Sequence, residues 1–150
     1  MLNDISNVTY TPDVAMITVN NIPNNVKYVA EILTEIAEKS VVVDMISQTA
    51  PYKDKLSLSF TIAQEDLNSI VTCTAKFKAL SADISTDING NNTKIILSGT
   101  AMREQSGVAA RVMSALAESN IAVKLITTAE EEISCLIDIK DVEAAKKIFA

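Results

Sequence analysis

The sequence contains no histidine and no tryptophan, and among its 150 residues there are only three glycines, three prolines and two cysteines. Without histidine there is no Ser–His or Cys–His nucleophile and no imidazole to hold a metal. The glycines, Gly90, Gly99 and Gly107, never stand as G-x-G, which excludes the phosphate-cradling loops of the Walker and dinucleotide types. Cys73 and Cys135 have no partner cysteines at metal-binding spacing and are expected to be buried free thiols in a reducing cytoplasm. No apolar run approaches the roughly 20 residues needed to cross a bilayer. The opening Met1-Leu2-Asn3-Asp4 offers neither the basic nor the apolar region of a signal peptide. The expectation is a cytoplasmic chain with no catalytic residues, no metal site and no cofactor.

Positive charge is also scarce. Thirteen Lys and Arg against nineteen Asp and Glu leave a net charge of −6. A nucleic-acid binder needs a basic stripe to displace counterions from phosphates, and a sheet-type RNA binder needs aromatics on its strands. Here three Tyr and three Phe are scattered along the chain. Nucleic acid and membrane are therefore not expected partners. What the chain has in abundance is apolar residues, 48% of the total, enough for a substantial core.

Those apolar residues are arranged in a repeat. Val29-Ala30-Glu31-Ile32-Leu33-Thr34-Glu35-Ile36-Ala37-Glu38 recurs 80 positions later as Ala109-Ala110-Arg111-Val112-Met113-Ser114-Ala115-Leu116-Ala117-Glu118. Val43 and Ile46 then match Val123 and Ile126. Beyond Thr49–Ser57 the offset falls to 75, where Ser59, Ile62 and Asp66 match Ser134, Ile137 and Asp141. A length change confined to one connection suits a hairpin loop. Two copies of one small fold are implied, divided as residues 1–80 and 81–150.

Within each copy the periods name the elements. Ala15, Ile17 and Val19 alternate with Met16, Thr18 and Asn20, and Ile95 and Leu97 open the second copy the same way, which is a strand pattern. Val29, Ile32, Leu33, Ile36 and Ala37, like Ala109, Val112, Met113, Leu116 and Ala117, form a helical stripe. Asn24 or Asn25 in the first copy and Ser106 in the second are suitable helix caps. The β-branched run Val41–Ile46 and its counterpart Ile121–Ile126 follow, then alternating strands over 56–62 and 133–138, then helices over 65–77 and 141–149. Short strands at 8–10 and 83–88 precede the copies, joined to them by Thr11-Pro12-Asp13 and by Asn89-Gly90-Asn91-Asn92, which reads as a hairpin turn. The fold class is α+β: two ferredoxin-like βαββαβ-type units, each an antiparallel four-stranded sheet with helices on one face.

The stretches ITVNNIP, VAEILTEIAEKSVVVDMISQ and GTAMREQSGVAARVMSALAESNIAVKLITTAEEEISCLID resemble the tandem ACT domains of aspartate kinases (aspartokinases). The resemblance runs from about Val8 to Phe149, and the second copy carries it more closely. It implies a regulatory module that dimerises and binds an amino acid, lysine or threonine, at an interface between ACT units. It also implies a kinase catalytic subunit or domain elsewhere, for which these residues leave no room. The closing strand that the family has after its last helix does not fit before Ala150, so that edge is expected to be open or covered by another chain.

The resemblance also assigns positions. Asn24, Lys27, Val29 and Gln48 fall at effector-contact positions, within a loop that includes Asn25 and Tyr28, and Ala122 and Val123 of a second unit complete the set. Met102, Ser106, Gly107, Val108 and Thr128 are the corresponding secondary candidates. A loop entering a helix N-terminus suits an amino acid's carboxylate, because its N–H groups are unpaired and the dipole is positive there. The chain departs from the family's acid–Pro–Gly pattern: Asn24 replaces the acid, Val26 the proline and Lys27 the glycine. The lost acid removes a partner for a ligand ammonium, and Lys27 adds bulk where backbone would approach.

Plainer readings stand beside these. Asn24 and Asn25 also suit a simple helix cap, Gln48 an exposed strand end, and Glu130-Glu131-Glu132 a solvated turn. Met45, Met102 and Met113 suit core filling. An ACT pair that dimerises without binding a ligand is the alternative function. An acyl-phosphate hydrolase would need an anion-binding arginine loop, and Arg103 and Arg111 are the only arginines.

Overall fold

The structure is a computed structural model that describes residues 2–150. Its strands are β1 (Asn7–Pro23), β2 (Ile46–Gln48), β3 (Lys55–Ala63), β4 (Ser85–Ser98), β5 (Leu125–Ala129) and β6 (Glu132–Asp138). Its helices are α1 (Val26–Glu38), α2 (Leu67–Leu80), α3 (Val108–Glu118) and α4 (Val142–Ile148). The chain divides into two compact units. The first is Asp13–Gly90; the second joins residues 2–12 to Asn91–Ala150.

In the first unit the strand order is β2-β3-β1-β4, with β1 and β4 contributing residues 13–23 and 85–90. Ala15, Ile17 and Val19 lie opposite Ile62, Phe60 and Leu58 of antiparallel β3, and all six side chains are buried. The stripe of α1 (Val29, Ile32, Ile36) and that of α2 (Ile70, Cys73, Phe77) cover the same face. Alternation on the strands and 3.6-residue spacing on the helices thus meet in one core.

The second unit repeats this arrangement with a different source for one strand. Its order is β1-β4-β6-β5, where β1 supplies residues 7–12 and β4 residues 91–98. Ile95 and Leu97 face Cys135 and Ile133 of β6, beneath Val112 and Leu116 of α3 and Ala145 of α4. Ile5 joins this core, only 6% exposed.

Three expectations change here. The Asn89–Asn92 stretch is not a hairpin turn, because β4 runs unbroken from Ser85 to Ser98; likewise β1 passes straight through Thr11-Pro12-Asp13. Asp13 (φ 57°) and Asn91 (φ 60°) are left-handed residues inside these strands. Asp and Asn tolerate that conformation, which kinks a strand like a bulge as readily as it closes a turn. The boundaries consequently fall at 12/13 and 90/91, not at 80/81. Finally, the second unit does have its fourth strand: the N-terminal part of β1 occupies the place of a strand following α4.

Both α1 and α3 end on a left-handed residue, Ser40 (φ 59°) and Asn120 (φ 55°). Their N–H groups return to Ala37 and Ala117 carbonyls at 2.9 Å, an αL termination at the same place in both copies.

Candidate functional site

The first unit's candidate loop is built by the end of β1. A bulge between Val19 and Ile22, with Asn21 at φ 59°, precedes the last two ladder pairs, Ile22–Leu56 and Pro23–Lys55. The chain then leaves the sheet held by two backbone bonds. The N–H of Asn24 donates to the Asp54 carbonyl at 3.0 Å, and that of Asn25 to the Pro23 carbonyl at 2.7 Å.

Asn25 is the cap of α1: its backbone is extended and its Oδ1 accepts the Lys27 N–H at 3.0 Å. The Tyr28 N–H donates to the Asn25 carbonyl at 3.1 Å. Two of the helix's leading donors are therefore occupied by Asn25 itself. Asn24 is exposed, and its neighbour Val26 is 82% exposed. The Lys27 ammonium sits 5.1 Å from the centroid of the Tyr28 ring, a cation–π contact in solvent. Tyr28 is half-buried against the first core, and Val29, 9% exposed, belongs to it. A molecule at this loop would meet the backbone of Val29, not its side chain.

Gln48 is exposed at the end of β2. It pairs with Leu58, which pairs on its other side with Val19. Two strand spacings across and three residues along the sheet place its Cα about 14 Å from that of Pro23. The loop and Gln48 thus share one end of the unit without touching.

The second unit holds the remaining candidates. After β4, a 3₁₀ turn over Thr100–Arg103 leads to Gly107, which occupies the cap position of α3 with φ +78°. Ser106, expected to cap, does not: no side chain caps this helix, and the Ser106 carbonyl accepts from Arg111 Nη1 at 3.2 Å. The left-handed turn at Gly107 carries the chain into the helix without needing an Asx or Ser cap. Val108 (5% exposed) is a core side chain, and Met102 and Val123 pack half-buried against the same core. Ala122 is exposed, as is Thr128, which pairs with Ile133.

Arginine organises this end of the unit. Arg103 donates to Glu130 at 2.9 Å and to Glu131 at 3.2 Å, tying the 3₁₀ turn to the β5–β6 turn. The Glu130–Glu132 run is therefore partly paired. An open cleft of about 680 Å³ lies between Ser6, Ser98–Thr100 and Ala129–Glu132. Another, of about 480 Å³, is lined by Met102, Arg103, Glu104 and Glu130. In the first unit a cleft of about 340 Å³ lies beside the β1 bulge, among Asn21, Thr49, Tyr52, Lys55 and Ser57. Of the residues assigned from the sequence, only Met102 lines one of these three clefts. Arg111 also reaches back to Asp4, forming an ion pair 107 positions apart in sequence. No local pattern could have paired these two residues.

Lys124, next to Val123, is held within its unit by Asn92 Oδ1 at 2.5 Å and Asp138 Oδ2 at 3.4 Å. The Lys140 N–H and then the Lys124 ammonium hold the Asp138 carboxyl below the usual range. Burial pushes the Cys135 thiol up to about 11. Both cysteines are buried and unpaired. Among the described residues no group of three His, Cys, Asp or Glu could hold a metal, and no helix is long and apolar enough to cross a membrane.

Residues 95–149 match the sequence model of the ACT domain. That match lies within the second unit. The relationship reaches beyond it: an aspartokinase of Helicobacter pylori is 33% identical over 141 residues, covering 94% of this chain and 34% of the relative. A crystal structure of aspartokinase alpha and beta subunits matches with a TM-score of 0.86 at 28% identity, over 97% of this chain and 95% of that one. The ligand-free regulatory subunit of aspartate kinase from Thermus thermophilus shares the fold, with a TM-score of 0.87 at 23% identity over 97% and 96% of the two chains. The likeness to the aspartokinase ACT region read from the sequence therefore holds. The chain spans about a third of the length of the curated relatives it matches. The ACT match covers residues 95–149, and the likeness in fold extends over 97% of the chain.

Proposed function

We propose that the chain is the amino-acid-binding regulatory part of an aspartokinase, a cytoplasmic homodimer that responds to lysine or threonine and acts on a kinase catalytic subunit. The observation that carries this reading is the match, at 28% identity, over 95% of the length of a solved aspartokinase subunit. In the first ACT unit the ligand's carboxylate takes the Val26 N–H and the Asn24 carboxamide at the mouth of α1, where the helix dipole favours a negative charge. Its ammonium takes the Gln48 side-chain oxygen. Backbone groups of Lys27, Tyr28 and Val29, and of Ala122 and Val123 from another copy, close the site. Met102, Ser106, Gly107, Val108 and Thr128 form the equivalent end of the second ACT unit.

Calorimetry and thermal unfolding with lysine, threonine and methionine test this. A ligand at 100 times its Kd stabilises the folded state by about 2.7 kcal/mol, a shift on the order of 5–10 °C for a chain of this size. A second reading, an ACT pair that only dimerises, is favoured by the Asn25 cap. Asn25 already occupies the Lys27 N–H at 3.0 Å, where a ligand carboxylate would otherwise bind. Absence of stabilisation by any amino acid selects that reading.

A further inference from the structure

The segment just before β1 is fastened to the second ACT unit by contacts of an unusual kind. Arg111, on the first turn of α3, forks: one guanidinium nitrogen donates to the Ser106 carbonyl at 3.2 Å, the other to the Asp4 carboxylate. The Asp4 side chain is 15% exposed and that of Arg111 42%. The Ser6 N–H donates to the Ser98 carbonyl at 2.9 Å, and Ile5 plugs the core. Between these contacts lies Gly99, where a methyl group would collide with the Asp4 carbonyl oxygen and lie 3.2 Å from the Ser6 nitrogen. Gly99 has φ 175°, so glycine is required there by the closeness of the segment, not by backbone conformation.

These contacts put the segment and the Gly99–Gly107 connection in direct mechanical touch. The segment is covalently continuous with β1 and, among the described residues, is attached to the rest of the second unit by the Ile5 plug, the half-buried Leu2 before it, the Ser6–Ser98 bonds and the Arg111 fork. Such an element opens at a lower free energy than the core beneath it. We propose that residues 4–6 are a strap latched by Arg111, which opens independently of the α3 core, and that movement of the Ser106–Gly107 turn releases or tightens it. Arg111 is then a positioning residue that reads the turn through its Ser106 bond and holds the strap through its Asp4 bond. The use of the latch in regulation rests on the amino-acid reading above; the latch itself does not.

Hydrogen exchange on the full chain tests both. The Ser6 amide reports the strap and the Val112 amide the α3 core. Ser6 exchanges faster than Val112 in the unaltered protein. Arg111→Gln speeds Ser6 exchange about fivefold, the size of a half-exposed charge pair, and leaves Val112 unchanged. Asp4→Lys combined with Arg111→Glu recovers protection relative to either single change. Gly99→Ala brings Ser6 towards the free-peptide rate; should that variant not fold, Arg111→Gln decides alone. Equal rates for Ser6 and Val112, or no response to Arg111→Gln, would overturn the latch. Added lysine or threonine supplies the second arm. Thermal stabilisation with altered Ser6 exchange supports the regulatory use, and stabilisation without it refutes that use while leaving the amino-acid reading intact. No stabilisation refutes the amino-acid reading and the regulatory use with it, and the first arm still decides the latch.

Discussion

Two adjacent asparagines at the start of α1 have identical side chains and different environments, and replacing each in turn separates folding from binding. Asn25 Oδ1 accepts the Lys27 N–H at 3.0 Å from an extended backbone. Asn25→Ala removes that acceptor and leaves the donor to water, at a cost of about 1 kcal/mol. For a chain of 150 residues that lowers the melting temperature by roughly 2–4 °C. Asn24 is exposed and makes its one fold-supporting bond through its backbone N–H, to Asp54 at 3.0 Å. Asn24→Ala keeps that bond and changes stability by less than about 0.5 kcal/mol. In the proposed site, however, its carboxamide donates to the ligand carboxylate. Losing a charge-assisted bond of about 1.5 kcal/mol weakens the effective amino acid roughly tenfold. The assays are urea unfolding, read by the midpoint at constant slope, and calorimetric titration with whichever amino acid stabilises the protein. Equal stability losses in the two variants would refute the assignment of Asn25 as the cap. Unchanged affinity in Asn24→Ala would remove Asn24 from the site.

Four other outcomes are expected. Phe60→Ala opens a cavity beside Ile17, at a fully buried position, and should cost about 3–5 kcal/mol in urea unfolding; a loss below 1 kcal/mol would mean that the first core is not packed as described. The Cys135 thiol is pushed up from 9.0 to about 11 by burial. Its contribution to stability is therefore complete below pH 9 and lost as pH rises through 11, by at most about 1.4 kcal/mol per pH unit, and Cys135→Ser should flatten that alkaline limb. At neutral pH, Cys135 of the folded protein should resist thiol reagents, and labelling as fast as a free thiol would contradict its burial. Asp138 has the opposite sign: its lowered pKa, caused first by the Lys140 N–H and then by Lys124, gives stability that is present above the ordinary carboxylate range and lost on acidification through the folded value. Lys124→Met should shrink that acid-side loss in a pH series of unfolding midpoints.

Sequence periodicity carried most of the local structure. The Val29–Ile36 and Val112–Leu116 stripes are the buried faces of α1 and α3, and the alternation of Ala15, Ile17 and Val19 is the buried face of β1. Such patterns are legible because side-chain direction repeats every 3.6 or every two residues, and a matching repeat 80 positions on doubled the signal. The candidate site was less legible. Asn25 could be assigned as a cap only in competition with Asn24, since both side chains can reach the same donors. Val29 and Val108 are recognisable as positions, but both side chains are buried, and Val123 is half-buried against the second core.

By itself, then, the sequence determined that the chain is two related α+β units, because repeats and periods are local facts. Tertiary structure decided how strands are shared. Asp13 and Asn91 in left-handed conformation could close turns or kink continuous strands, and local chemistry does not choose between them. The choice was made by pairing: β1 and β4 each gain ladder partners in both units, and residues 7–12 satisfy the edge that the second unit would otherwise expose. The Asp4–Arg111 tie follows from that choice, because placing residues 2–12 in the second unit brings residues 107 positions apart into one ion pair.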